Sequence, residues 1–148
     1  MSDNKFNPEK LTILEYKILK GQIDAPEDFT IENVEGHDIE NSFDLGFDLE
    51  NKLVRTELDV KITTKSKVSV STEAKGHFTL VFIFEVDNLN ELAVLNADNL
   101  IDLDPNLANA LASVTYSTAR GILLTRLQGT ALQNFILPIV SPNKLLKV

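Results

Sequence analysis

"NSFDLGFDLENKLVRTELDVKIT", residues 41–63, alternates apolar and polar side chains twice in succession. Phe43, Leu45, Phe47 and Leu49 take every second place, with Ser42, Asp44, Gly46 and Asp48 between them. A period of two sends successive side chains to opposite faces of an extended chain, so this is a strand with one buried and one wet face. After the turn residues "ENK" at 50–52, Val54, Leu58, Val60 and Ile62 share one face, and Arg55, Glu57, Asp59 and Lys61 the other. Two such strands across so short a turn make an antiparallel hairpin.

The flanking segments read the same way. Leu11–Ile23 is β-branched and aromatic enough for a first strand, stopped by "DAPEDF" with Pro26 as the breaker. Past the polar connection "TTKSKVSVSTEAKG" comes "HFTLVFIFEV", residues 77–86. There Phe78, Leu80, Phe82, Phe84 and Val86 share a face, while Val81 and Ile83 make the opposite face apolar too. Such a strand needs cover on both sides, from a helix, a loop, a subunit or a ligand. Residues 1–10 are expected to be a flexible tail and 11–148 a single domain, long enough to bury a core without staples.

A long helix follows. In "NADNLIDLDPNLANALASVTYSTARGILLTRLQGT", residues 96–130, Asp104 is placed to cap and Pro105 to open it, with Gly129 as the stop after Gln128. About 23 residues give roughly 35 Å. Leu107, Leu111, Val114, Thr118 and Ile122 form one stripe, and small residues such as Ala112, Ser117, Ala119 and Gly121 allow close approach of another helix or the sheet. The β-branched run "SVTYST" predicts a kink.

Chemistry finds few candidates. Without cysteine there are no disulfides, thiolate nucleophiles or thiolate metal sites, which fits a reducing compartment. His37 and His77 stand in separate segments without metal-ligand spacing, so neither metal nor cofactor is expected. No GxSxG elbow, phosphate loop or dinucleotide glycine pattern occurs, and the acids alternate outward along strands or sit in loops; an enzyme is not expected. Arg120 and Arg126, six apart, stand about 120° apart around a helix and do not converge on one anion. Each is expected to reach a strand carboxylate or loop carbonyl instead. A net charge of −8 keeps the chain soluble, opposes nucleic-acid binding and favours basic partners. Neither a signal-peptide run nor a membrane-length apolar stretch is present, so a cytoplasmic protein that does not insert into membranes is expected.

In their order and spacing, several pieces resemble the SecB family of protein-export chaperones. These are "IDAP" at 23–26, the 43–63 hairpin, the pair Ala119 and Arg120, and "GTALQNFILP" at 129–138. The resemblance implies an α+β subunit, a four-stranded antiparallel sheet covered by one long C-terminal helix, assembling as a homotetramer, a dimer of dimers with helices between them. It implies an ATP-independent holdase that grips unfolded preproteins in apolar grooves and passes them to the SecA translocation motor. Ile23, Phe29, Phe43, Phe47, Phe78 and Phe82 are the groove candidates, with Phe29 expected to be exposed, and Ala112, Ala119 and Ile122 the candidates for the oligomer seam. Asp24 matches one acid of the motor-docking surface, but Lys20 and Leu80 stand where two others are expected, which predicts weak motor contact. Only "SPNKLLKV" follows the family's proline segment, so its further C-terminal helix is expected to be missing. Some members of the family chaperone antitoxins, an alternative role, and an oligomeric adaptor without clients is another. A hot-dog acyl-binding or thioesterase domain shares the helix-on-sheet plan, but its main helix comes early, whereas here it comes last.

Overall fold

Four long strands form one antiparallel sheet in the computed structural model of the chain, in which residues 6–67 and 73–147 are described. They are β1 (Leu11–Asp24), β2 (Val34–Asp48), β3 (Leu53–Ser66) and β4 (Lys75–Val86), side by side in the order β1-β4-β3-β2. The hairpin has the expected register, with Phe43 opposite Leu58 and Phe47 opposite Val54. At its tip the Asp48 carboxylate accepts from the Asn51 backbone at 3.2 Å and side chain at 2.8 Å. β2 begins at Val34, well before the alternating stretch that revealed it.

β1 departs from strict alternation. Its register against β4 slips between Ile13 and Glu15 and again between Ile18 and Lys20, so Leu14 and Leu19 are the extra residues of two bulges and stay exposed. Of the expected tail, residues 1–5 lie outside the described residues; Pro8–Lys10 make a 3-10 turn capped by Asn7, and Phe6 packs on the core.

Beyond β4 come α1 (Leu89–Leu92), a ribbon of β5 (Ala93–Leu95) and β6 (Ile101–Leu103), and the long helix α2 (Pro105–Arg126). Asp104 caps α2 as its sequence position requires, its carboxylate accepting from the Asn106 and Leu107 amides. Gly129, at φ 78°, supplies the left-handed turn that ends the run. The main helix therefore follows every strand, the reverse of the hot-dog order.

α2 lies across one face of the sheet. The phase of its buried stripe differs from the expected one: Leu107, Leu111, Thr115, Ala119 and Leu123, flanked by Ala112 and Tyr116, face the strands. Val114, Thr118 and Ile122 are only half-buried at its margin. Ala112 and Ala119, expected at a seam between subunits, have no exposed surface; their small side chains let α2 sit close on the sheet. Opposite them lie Val54, Leu58, Val60, Phe82 and Phe84, all wholly buried. The chain after α2 folds back and buries Leu132, Phe135 and Leu137 before α3 (Pro142–Leu146), a short helix where none was expected. Among the described residues no helix covers the other sheet face. There Val81 is nonetheless buried, set between Lys17 and Glu57, whose long stems shield it.

Candidate client-binding surface

Two apolar cavities flank α2. One, of about 470 Å³, opens where Phe6, Leu11, Ile13 and Phe84 meet Ala110 and Val114 of the helix. The other, of about 410 Å³, lies at the first turn of α2, between Leu45, Leu103, Pro105, Ala108 and Leu146. Both volumes suit side chains of an extended peptide or a small apolar ligand. Next to the first cavity, the free edge of β1 exposes Ile13, Leu14, Tyr16 and Leu19, each by 40% or more. The β5–β6 ribbon exposes Val94 and Leu95, with Leu100 just before β6, and the segment after α2 exposes Ile136 and Ile139. Exposed apolar side chains of this size, where they form contiguous patches, are candidates for binding surfaces.

The expected groove residues divide. Phe82, Phe78 and Phe43 are core side chains, at 0%, 5% and 8% exposure, and the subunit offers them to no client. They fell on the helix-facing side of the sheet because the same alternation that identifies a strand fills its buried face. Ile23, Phe29 and Phe47 are half-buried, and Phe29 stands outside the core cluster that Ile23 and Phe47 pack against. None of the six lines the two apolar cavities. The exposed residues of β1 were missed because the bulges break their alternation, and those of the ribbon because a three-residue strand carries no periodicity.

The helix-free face is polar apart from the centre of β4. Asp59 on β3 accepts from the Thr79 hydroxyl at 2.6 Å, and its oxygens lie 2.9 and 3.1 Å from His77 Nε2. Burial alone would raise this carboxyl, but Thr79, His77 and Lys61 together hold it below the ordinary carboxylate range. The hydroxyl donates to the carboxylate and not to the imidazole, so the three side chains are not strung hydroxyl to imidazole to carboxylate as in a nucleophilic triad. Lys20 stands beside Thr79 on this face, whereas Leu80 points into the core and occupies no docking position. Asp24 is exposed at the end of β1, its carboxylate accepting from Gln22. Among the described residues no cluster of three or more His, Asp or Glu could hold a metal, and no helix is long and apolar enough to cross a membrane.

No protein-family model matches the chain, and no curated protein matches it in sequence. Solved structures do. The Mycobacterium tuberculosis SecB-like chaperone Rv1957, in complex with a ChAD peptide from the Rv1956 HigA1 antitoxin, matches with a TM-score of 0.64. Identity is 14%, over 90% of this chain and 93% of that one. A Streptococcus agalactiae protein of unknown function covers 87% of this chain and 97% of its own at 13% identity, with a TM-score of 0.32, too low to bear on the argument. The four-stranded antiparallel sheet with its long trailing helix is thus a SecB-like α+β fold.

Proposed function

We propose that the protein is an ATP-independent holdase chaperone that binds unfolded polypeptides in the apolar cavities along α2 and along the surfaces that continue them. The observation that carries this reading is apolar surface exposed on β1, the ribbon and the margins of α2 of a SecB-like fold. Apolar grooves grip many sequences because burial is non-directional. The excess of 22 acidic over 14 basic residues steers basic clients at long range. The working form is a homotetramer in the cytoplasm. Two dimers meet on the outward face of α2 at Gly121, where nothing crowds the helix, which leaves the β1 edge and the cavities along α2 to the client.

The client class is preproteins bound for export. Antitoxins are the second reading, favoured by the peptide held by Rv1957 and by Lys20 on the open sheet face. The deciding experiment is titration against a reduced, permanently unfolded protein beside its folded form. Preferential binding of the unfolded form, only partly weakened by salt, is expected. Equal affinity for both, or none for either, removes the holdase reading and leaves an adaptor. Titration of the SecA C-terminal tail, with an antitoxin peptide in parallel, then separates the two client classes; the motor contact is expected to be weak.

A further inference from the structure

A third cavity beside α2 has a different character. It measures about 270 Å³, with Ser113, Tyr116, Ser117 and Arg120 of the helix on one side and Ile139, Val140, Pro142 and Leu145 on the other. That is less than the ~300–1,000 Å³ usual for small-molecule sites and suits one or two side chains.

Arg120 is half-buried, its Nε is fully buried with no hydrogen bond, and no carboxylate among the described residues pairs with it. In a chain with 22 acidic side chains that is an unusual place to leave a cation. Among the described residues it meets neither the strand carboxylate nor the loop carbonyl expected for it. Tyr116 beside it donates its hydroxyl to the Pro138 carbonyl. Burial raises the Tyr116 phenol, against the opposing effects of Asn41 and Arg120, so it stays neutral and does not serve as the counter-charge. A guanidinium is a planar fork matched to a carboxylate, and the two serine hydroxyls add donors beside it. The facing aliphatic wall, with Ile139 at 82% exposure, asks for an apolar neighbour to that carboxylate.

We propose that this pocket anchors a carboxylate of a bound client peptide, on a side chain or at the chain end, while adjoining apolar residues lie against Ile139, Val140 and Leu145. The proposal rests on the holdase reading and adds selectivity to it. An acidic surface repels acidic clients in general, so one cationic anchor picks out those that carry a carboxylate next to an apolar run.

Fluorescence anisotropy with three matched apolar peptides tests it: one with a glutamate and an amidated end, its glutamine counterpart, and the glutamine peptide with a free terminal carboxylate. Wild type should bind at least one carboxylate peptide about tenfold more tightly than the amidated glutamine peptide. Arg120→Gln should bring that ratio to about one and leave the glutamine peptide's affinity unchanged. Arg120→Lys keeps the charge without the fork, guards against a folding failure and should give an intermediate ratio. A ratio near one in wild type, or one that survives Arg120→Gln, overturns the anchor while the bound glutamine peptide leaves the holdase reading standing. Binding of none of the three overturns both. A change in oligomer size in Arg120→Gln with an unaltered ratio assigns Arg120 to a contact between copies and also overturns the anchor.

Discussion

Thr56 and Thr115, both wholly buried, meet hydroxyl to hydroxyl at 2.8 Å between β3 and α2. Each looks like an imperfection in the sequence: Thr56 interrupts the apolar face from Val54 to Ile62, and Thr115 sits in the run that predicts a kink. Yet α2 runs unbroken through that point, because the hydroxyl that lowers helix propensity has its partner across the sheet. Thr115→Val changes volume little but leaves the Thr56 hydroxyl buried and unpaired, which should cost about 1–3 kcal/mol. The double change Thr56→Val, Thr115→Val should recover most of that loss, measured by urea unfolding at fixed protein concentration. Simple addition of the two losses would show that the hydroxyls are not coupled. A pair of this kind is invisible in one dimension, since nothing in either segment names the other.

Strands and helix ends were readable where a local rule governs them: the hairpin by its alternation, α2 by Asp104, Pro105 and Gly129. β1 was read from its β-branched and aromatic content to within a residue of its end, although bulges erase its period of two. The first half of β2 was missed because its half-exposed residues carry no alternation. The stripe of α2 was read a step out of phase for a related reason. Phe82 and Phe84 fill the space beneath the helix, so small Ala112, Thr115 and Ala119 face the sheet while bulkier Val114 and Ile122 stand at the margin. On the far face, β3 and β4 are tied by the Asp59, His77 and Thr79 cluster, a cross-strand contact between polar pairs. Because the folded-state carboxyl of Asp59 lies below its ordinary value, its stabilising effect is complete above that value, about 3.9, and fades as pH falls through the lower folded one. Asp59→Asn should therefore lower the urea midpoint at pH 7 and differ progressively less from wild type as the medium is acidified below about pH 4. A gap of constant size across that range would rule out the linkage.

For the molecule as a whole, the order of elements pointed to the fold, but the exposed apolar surface was only partly readable. Aromatic count pointed to Phe43, Phe78 and Phe82, which a folded subunit spends on its own core, and overlooked the aliphatic edge of β1. Sequence patterns report which side chains must be covered; they do not distinguish cover by the same chain from cover by another. Assembly turns on that distinction, and α2 offers a direct test of it. A Cβ added at Gly121 meets nothing within 4 Å, and Gly121 shares an outward face with Ala110, Ser113 and Ser117. Gly121→Glu should leave the subunit at least as stable, since glycine is worse than other residues in a helix interior by roughly 0.5–1 kcal/mol. A seam between two α2 helices would have to bury that carboxylate unpaired, at a cost of several kcal/mol, so tetramers should separate into dimers of half the mass by light scattering. Ala119→Glu, two residues along but facing the sheet, should unfold the subunit instead, which circular dichroism would report. A Gly121→Glu protein of unchanged mass would put the seam on another face, and a wild type that is monomeric at micromolar concentration would remove the assembly altogether.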